Sequence, residues 1–362
     1  MSVPVYAYIG YPLLLVALRR VIHREVKKRP IQPFVSLLIP AYNEAGVIGR
    51  KIENSLALDY PPHCLEIVIA SDGSSDRTAA IAQEFATPGR VRVLAFPENR
   101  GKIATLNACM PELRGEIVVF SDAAAILQPD ALRRLVENFA DPEVGAASGV
   151  YKIVKADEVN IGPSEDFYWK YEAYLKRQES QLASTLGGHG HLHAIRRALY
   201  PYPPAGTIND DYVIPVSVLA KGYRAVYEPA AVVYEEAREM TGFGRRIRIM
   251  AGNIQQLGEI GGLLFPPRPL ELLFFVSHKL FRLLVPFAML AALAADVCLL
   301  PSAPYSALLA VQIMFYVLAG CGVLWRLRPR ILMLPFYFSM INAATFFGLY
   351  HALTHRRGLA WK

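Results

Sequence analysis

Two adjacent carboxylates, Asp210 and Asp211, stand at the start of a short helical pattern in TINDDYVIPVSVLA, residues 207–220. The two side chains cannot both lie in a hydrophobic core. A helix N-terminus, in contrast, stabilises negative charge. A like-charged neighbour can raise the pKa of a carboxylate enough for it to act as a general base. The simpler interpretation is N-capping of the helix by Asn209 or Asp210. Polar groups elsewhere in the chain favour the catalytic interpretation.

Those polar groups follow predicted buried strands. Asn43 and Glu44 come after VSLLI, Asp72 after EIVIA and Asp122 after EIVVF. Such apolar runs alternate with helical patterns, which predicts a doubly wound α/β sheet with a nucleotide at the carboxyl ends of its strands. The predicted strands are 35–39, 66–70, 91–96 and 116–120, and the predicted helices are 47–58, one from 76, and 102–110. For Asp72 an Asx turn within SDGSSD is the alternative. No GxGxxG follows the first strand, which disfavours a nicotinamide or flavin domain.

Apolar segments flank this predicted domain. The chain has 362 residues, 19% of them charged, and a mean hydropathy of +0.26. Four segments approach the roughly 20 residues that span a bilayer as a helix, namely 3–18, 283–300, 305–324 and 331–353. The first lacks a basic leader, so it is predicted to be an uncleaved anchor. In the last, Ser339, Asn342 and His351 leave a full crossing or a tilted, re-entrant segment open.

The positive charge predicts membrane contact. The formal net charge is +7, and Lys and Arg gather beside apolar segments at 19–29, 326–330 and 356–357. Anionic lipid headgroups are therefore the expected partner, and nucleic acid is not. The cluster at 19–29 predicts that the domain after it lies in the cytoplasm. The predicted organisation is an anchor with its basic flank (1–29), a cytoplasmic catalytic domain (30–264), an interfacial helix (265–282) and transmembrane segments with a basic tail (283–362). Cys64, Cys109, Cys298 and Cys321 form no CxxC pair, which predicts neither disulfide nor zinc.

An ordered set of motifs resembles the family 2 glycosyltransferases: FVSLLIPAYNE (34–44), LEIVIASDGSSDRT (65–78), NRGKIATLN (99–107) and EIVVFSDAAAILQPDAL (116–132). The downstream segments WKYE (169–172), AIRR (194–197), GRRIRIMAGN (244–253) and SHKLFR (277–282) resemble its membrane-integral branch, which includes chitin, cellulose, hyaluronan and poly-N-acetylglucosamine synthases. The resemblance covers about residues 34–282. It implies a GT-A fold in a multi-pass protein of the cell membrane.

The resemblance also implies donor-site roles. It assigns contacts with the nucleotide sugar, expected to be a UDP-sugar, to Pro40, Tyr42, Glu44, Asp72, Lys102, Asp122 and Arg245. Asp122 matches the first carboxylate of the family's Asp-x-Asp motif, which addresses Mg²⁺ or Mn²⁺. Ala124 replaces the second carboxylate, so weak metal binding is expected, with the donor's oxygens completing the site. Arg248 keeps its place in the Gln-x-x-Arg-Trp motif and is expected to pair with the diphosphate.

The resemblance further places the acceptor beside Trp169, Gly188, His189 and Gly190. His189, His191 and His193 alternate along the chain, so a metal site on one face of a strand is the alternative for this segment. Ile249 stands where the motif has its Trp. Because the indole would stack on the acceptor, its loss leaves processive and single transfer both open.

Together these residues predict an inverting hexosyl- or N-acetylhexosaminyltransferase. Asp211, with Asp210 as its charged neighbour, is expected to activate a hydroxyl of a lipid-linked or growing glycan acceptor. Two alternatives stay open. One is transfer to a polyprenyl phosphate, which needs little base catalysis, and the other is a catalytically silent membrane protein that binds sugar nucleotides.

Overall fold

The computed structural model describes residues 2–154, 163–236, 243–264, 267–300, 302–325 and 333–354. The basic clusters at 326–330 and 356–357 lie outside these residues, and so does the side chain of Arg245.

The described residues form an eight-stranded sheet in the order β3-β2-β1-β4-β7-β6-β8-β5. The strands are β1 Val35–Ala41, β2 Leu65–Asp72, β3 Val91–Phe96, β4 Ile117–Phe120, β5 Ile126–Leu127, β6 Val144–Val154, β7 His193–Arg196 and β8 Arg224–Glu236. Strands β3, β2, β1 and β4 are parallel, and they match the four predicted strands. The second half is mixed, because β7 runs antiparallel to both β4 and β6. The prediction of a doubly wound α/β domain is therefore right in class and incomplete in topology, since hydrophobic runs report burial and not strand direction.

Helices cover both faces of the sheet, which explains why every residue of β1 and β2 is buried. The helices are α1 Ser2–Val5, α2 Tyr11–Arg19, α3 Ile48–Leu56, α4 Thr78–Glu84, α5 Lys102–Cys109, α6 Ala131–Val136, α7 Pro163–Leu182, α8 Asp210–Ala220, α9 Phe243–Gln255, α10 Gly261–Leu264, α11 Pro269–Phe274, α12 Phe281–Cys298, α13 Ala303–Trp325 and α14 Met333–Thr354. Leu37 and Ile39 of β1 pack with α3 and α6. Leu38 faces the other way, into a core formed with α2, α5, α7 and α8.

Two described helices are long and apolar enough to cross a membrane, Pro269–Cys298 and Ala303–Cys321. The first joins α11, a π-helical turn at Phe275–Leu280 and α12, so the predicted segments 265–282 and 283–300 share one continuous helix from residue 269. The predicted anchor is a shorter apolar helix, Ser2–Leu18. Val5, Ile9 and Leu13 form its exposed apolar stripe.

The last predicted segment is α14, which packs along α9. A Cβ at Gly348 would lie 2.6 Å from Met250 Cβ, a contact that real side chains do not make, so glycine is required for this close approach. Arg246 of α9 donates a hydrogen bond to the Tyr337 hydroxyl of α14 at 3.0 Å. The last helix is therefore a direct support of α9, whether or not it crosses the membrane fully.

The linker between the N-terminal helices and β1 is docked on the catalytic domain. The buried Arg224 donates to the carbonyls of Arg24 (3.0 Å) and Ala183 (3.1 Å). Arg24 pairs with Glu143 at 2.8 Å, and Lys28 pairs with Glu228. Two of the cations expected to meet lipid headgroups thus bind carboxylates of the domain.

Candidate active site

The loops after β1 and β2 are tied together by side-chain caps. Asn43, at a positive φ of 54°, accepts a hydrogen bond from the Ser75 amide at 2.8 Å. The Glu44 amide donates to Thr78 Oγ1 at 2.7 Å. These bonds fix the segment that carries the predicted donor-binding residues Pro40, Tyr42 and Glu44 at one edge of the sheet.

Asp72 positions the segment that precedes α5. Its two carboxylate oxygens accept hydrogen bonds from the amides of Arg100 and Gly101, both at 2.9 Å. Gly73, at a φ of +64°, lets that segment cross, because a Cβ there would lie 2.2 Å from the Asn99 nitrogen. The Asp72 carboxylate thus accepts hydrogen bonds from the loop before Lys102, and it does not form the Asx turn that was the alternative.

Lys102 joins two of the predicted carboxylates. Its ammonium lies 3.0 Å from Asp122 Oδ1 and 3.1 Å from Asp210 Oδ2. Burial alone would lower the pKa of Lys102, but Asp122 and Asp210 raise it above its usual range. Burial alone would raise the pKa of Asp122, but Lys102 and His191 hold it below its usual range. The site is therefore built around charged groups, with the charge of Asp210 balanced by Lys102.

The start of α8 does not follow the N-capping interpretation. Asn209 is the N-cap residue, yet its side chain makes no capping bond and lies 3.1 Å from Asn253 Oδ1 of α9. Asp210 is engaged by Lys102. Asp211 is half-buried on the cavity, and its carbonyl accepts a hydrogen bond from the Gly188 amide at 2.6 Å. The acidic pair is accordingly held between α9 and the glycine loop 187–190.

A buried lysine that the sequence analysis missed supports the Asp122 loop. Lys51 of α3 is fully buried, and its ammonium donates to Ser121 Oγ at 2.7 Å and to the Ala125 carbonyl at 2.6 Å. Ser121 Oγ in turn donates to the His191 carbonyl at 2.9 Å. Lys51 therefore ties the two loops that hold Asp122 and His191. The KIENSL pattern of α3 gives no sign of this, because a lysine in an amphipathic helix ordinarily reaches solvent.

Lys51 should make stability depend on pH. Burial lowers its pKa from 10.5 to about 7, so between these values the unfolded chain holds the extra proton and the free energy of unfolding rises with pH, by at most about 1.4 kcal/mol per pH unit. From pH 7 to pH 9 the melting temperature of the wild type should therefore rise relative to that of Lys51→Met. The matched control is the exposed Lys221→Met, for which the difference should stay constant. Parallel curves for wild type and Lys51→Met would contradict the lowered pKa of Lys51.

Aromatic and imidazole rings form the wall behind the glycine loop. The rings of Tyr151 and His191 stack at a centroid distance of 4.1 Å, and Trp169 meets His189 edge to face at 5.7 Å. His189 is buried, with Nε2 3.2 Å from the Tyr227 hydroxyl, and His191 pairs with Glu235 at 2.9 Å. His193, the third of the alternating histidines, stacks on Phe120 of β4. The three imidazoles thus have separate partners, and among the described residues no group of three or more His, Cys, Asp or Glu could hold a metal ion.

One cavity of about 730 Å³ connects these elements. Of the predicted site residues it is lined by Lys102, Asp122, Trp169, Gly188, Gly190, Asp210, Asp211 and Arg248. Pro40 and Asp72, at the carboxyl ends of β1 and β2, and Tyr42 and Glu44, on the loop after β1, are not among the lining residues. His189 is not among them either, and lies behind the wall. The cavity continues past Asp211 to Tyr8 of the N-terminal helix, Leu283 of α12 and Ile341 of α14. It therefore links the strand ends with the apolar N-terminal and C-terminal helices.

A buried ionic cluster lies on the wall of this cavity, at the end lined by the apolar helices. His278 contacts Glu179 through Nδ1 at 2.6 Å and Glu172 through Nε2 at 3.2 Å. Arg282 pairs with Glu172, and the Tyr11 hydroxyl donates to Glu179 at 2.6 Å. The cluster joins the N-terminal helix, α7 and the long helix 269–298. The sequence signal for this cluster was the presence of charged residues in WKYE and SHKLFR beside apolar segments. Ionisable side chains in such surroundings are costly, and they usually pair with one another or serve a function.

The mixed sheet, with its carboxylates and lysine at the strand ends, defines a GT-A-like α/β domain. A sequence model described as Glycosyl transferase family 2 matches residues 36–201, and the chain carries a glycosyltransferase family 2 domain. The sequence-based prediction of this family of enzymes is confirmed.

Curated relatives and a solved structure agree with this family. The chain is 27% identical over 230 residues to a poly-β-1,6-N-acetyl-D-glucosamine synthase of Staphylococcus aureus (strain MSSA476), covering 62% of this chain and 55% of that protein. It is 29% identical over 221 residues to the probable glycosyltransferase YdaM of Bacillus subtilis, covering 57% and 51%. The chain thus spans about half the length of the curated relatives it matches. The mannosyltransferase PcManGT from Pyrobaculum calidifontis, solved with GDP-Man and Mn²⁺, superimposes with a TM-score of 0.74 at 27% identity over 96% of both chains.

Proposed function

We propose that this protein transfers a sugar, with inversion, from a nucleoside diphosphate sugar to a hydroxyl group of a membrane-borne acceptor. One observation carries the proposal. A single cavity contains the acidic pair Asp210 and Asp211, the cations Lys102 and Arg248, and an end lined by apolar helices. A donor that enters at the strand ends and an acceptor that enters from the membrane would meet at Asp211.

The roles follow from charge and position. Asp211 takes the proton of the acceptor hydroxyl as its oxygen attacks the anomeric carbon, and the bond to the departing diphosphate breaks on the opposite face. Lys102 and Arg248 stabilise the negative charge that the diphosphate gains. Asp210 keeps Lys102 in place through the 3.1 Å ion pair. Trp169 and the glycine loop 187–190 provide the wall against which the acceptor lies.

A divalent metal fits this site only through shared ligands. Asp122 offers one carboxylate to the cavity, Ala124 offers none, and no complete protein ligand set exists among the described residues. Mg²⁺ and Mn²⁺ bound with a nucleotide commonly use one or two carboxylates together with phosphate oxygens. Asp122 would therefore hold the ion with the donor, and the ion would add charge neutralisation on the diphosphate.

Restoring the missing carboxylate at position 124 should strengthen metal binding. We expect Ala124→Asp to lower the metal concentration for half-maximal activity, because it supplies a second ligand beside Asp122. Activity is measured against Mg²⁺ and Mn²⁺ for wild type and variant, with Ala124→Asn as a control of similar size and no charge. Full wild-type activity in excess chelator would show that Lys102 and Arg248 neutralise the diphosphate without a metal.

The donor is tested by a screen of nucleotide sugars with the full chain in lipid nanodiscs. The resemblance favours a UDP-sugar, and the neighbour solved with GDP-Man supports testing GDP-mannose beside UDP-N-acetylglucosamine. Release of nucleoside diphosphate and mass spectrometry of the product identify the donor and the acceptor chemistry. Nucleotide binding without release under any donor would support the silent sugar-nucleotide-binding protein and overturn the proposal.

For the topology, we propose a multi-pass protein of the cell membrane with its catalytic domain in the cytoplasm. Basic residues follow the first apolar helix, and two apolar helices follow the domain. In a cysteine-free background, Ser75→Cys should therefore react with an impermeant reagent only after lysis. Ser302→Cys, between the two long helices, should react in intact cells. Labelling of Ser75→Cys in intact cells would reverse the topology.

A further inference from the structure

The cavity carries more positive than negative charge. Among its described lining residues, six Lys or Arg side chains face four carboxylates. The glycine loop 187–190 stands between two groups of these charges. On one side a Cβ at Gly190 would lie 4.0 Å from Lys102 Nζ and 3.8 Å from Asp122 Oδ2. On the other side the Gly188 carbonyl accepts a hydrogen bond from the Lys176 ammonium.

The first group is balanced within the protein. Lys102 lies between Asp122 and Asp210, at 3.0 and 3.1 Å. This group belongs to the donor side, because Lys102 begins α5 at the strand ends, where the nucleotide is expected.

The second group is not balanced in the same way. Lys176 is buried in α7, and Lys279 is half-buried with its ammonium 5.4 Å from the ring centroid of Tyr212, the residue after Asp211. Within the described part of the chain neither ammonium has a carboxylate at ion-pair distance, since the adjacent Glu172 and Glu179 are taken by Arg282 and His278. Burial lowers the pKa of Lys176 to about 8, against the opposing charge of Asp211 and with a further contribution from Lys279.

A buried lysine and a half-buried lysine that face one cavity without a carboxylate at ion-pair distance are costly, and a bound anion offsets that cost. The same end of the cavity is lined by Tyr8, Leu283 and Ile341 of the apolar helices. A phosphate carried on a lipid would match these surroundings, with its charge at the lysines and its apolar chain against these side chains. Charge and surroundings together thus describe a membrane-borne phosphate.

We propose that Lys176 and Lys279 form a second anion subsite, which binds a phosphate group that joins the acceptor sugar to its membrane lipid. This rests on the proposed transferase function and deepens it, because it names the acceptor class as a lipid phosphate-linked sugar. The phosphate anchors the acceptor beside the glycine loop, and the sugar hydroxyl extends toward Asp211. The donor's diphosphate occupies the Lys102 side of the same loop.

The test measures binding without turnover. The full chain in nanodiscs of zwitterionic lipid is titrated with farnesyl phosphate, farnesol, inorganic phosphate, GDP and UDP. Wild type should bind farnesyl phosphate much more tightly than farnesol or inorganic phosphate. Lys279→Met and Lys176→Met should each weaken farnesyl phosphate binding about ten- to hundredfold, as expected when a hydrogen bond to a charged group is lost, and leave nucleoside diphosphate binding within about twofold.

Matched variants separate the subsite from general effects. Arg177→Met removes an exposed cation from the position next to Lys176 and should leave all affinities unchanged. Lys176→Gln keeps a hydrogen-bond donor for the Gly188 carbonyl but removes the charge, so it should weaken farnesyl phosphate binding as Lys176→Met does, which a purely structural role in holding Gly188 does not explain. If the lysine variants bind farnesyl phosphate like wild type, or lose GDP and UDP binding in parallel, the subsite does not exist as proposed.

The failure of the transferase proposal gives a different result. In one outcome Asp211→Asn still binds farnesyl phosphate, but the wild type consumes no nucleotide-sugar donor. That result would refute the proposed transferase function and support the phosphate subsite. Equal binding of inorganic phosphate and farnesyl phosphate would overturn the lipid assignment. Transfer of sugar directly onto farnesyl phosphate, unaffected by Asp211→Asn, would make the phosphate the nucleophile and would overturn its role as a linker.

Discussion

Asp211→Asn is expected to lower turnover by a factor on the order of 100 to 10,000, the usual contribution of a general base, with nucleotide affinity nearly unchanged. The amide keeps the volume of the side chain and removes only the proton acceptor. Asp211 contacts the glycine loop through its backbone, since its carbonyl accepts the Gly188 amide, so that contact survives the substitution. Product formation and calorimetric nucleotide binding are measured on the same preparation.

Two neighbouring carboxylates provide the controls. Asp210→Asn should cost less turnover than Asp211→Asn, because its role is to hold Lys102. Asp122→Asn should mainly weaken donor binding, because it removes the other partner of Lys102 and the carboxylate available to a metal. Near wild-type turnover of Asp211→Asn, or loss of nucleotide binding together with the fold, would refute the assignment of the base.

The substitution Glu172→Leu is expected to destabilise the protein by about 3–5 kcal/mol, the usual cost of removing one partner of a buried ion pair. It leaves His278 and Arg282 without the carboxylate that both contact. The measurement is thermal unfolding of the full chain in detergent, followed by intrinsic fluorescence.

Glu84→Leu is the matched control, because Glu84 pairs with Arg77 at 3.9 Å on the exposed surface, with side-chain exposures of 66% and 79%. A surface pair of this kind contributes at most about 1 kcal/mol. The two substitutions should therefore shift the melting temperature by very different amounts. Equal shifts would show that the buried cluster does not hold the N-terminal helix, α7 and the long helix 269–298 together.

The sequence was sufficient for the parallel half of the sheet. Strands β1, β2 and β4 carry strong local signals, because they are short apolar runs buried on both faces and followed by turn residues. The edge strand β3 is only partly buried, and its β-branched run VRVLAF was the signal there. The antiparallel β7 was missed as a strand, although AIRR was noticed as a motif. Its direction depends on how α7 returns to the sheet, and that is a tertiary property which no local pattern encodes.

Site residues that belong to a sequence motif could be predicted from the sequence. Residues whose role depends on partners far away in the chain could not. Asp122, Lys102 and the acidic pair were predicted to share a site, and the structure brings them around one cavity. Lys51 and Lys176 escaped notice because each is one lysine in a helical pattern, and only the tertiary fold buries it. The His278 contacts with Glu172 and Glu179 join residues 106 and 99 positions apart, a separation that a single sequence does not bridge.

The docking of the N-terminal helix has a practical consequence. Tyr11 and Leu15 of the N-terminal helix are fully buried in the same core as α5 and α8. Arg224 donates a hydrogen bond to the Arg24 carbonyl in the linker between the N-terminal helix and β1. Truncation before β1 would therefore expose part of the core that also contains Tyr212 and Val213, the residues that follow the acidic pair. A water-soluble fragment cut out between the apolar helices is a poor substitute for the enzyme, and inhibitor screens or crystallisation trials are better built on the intact chain in a lipid-like environment.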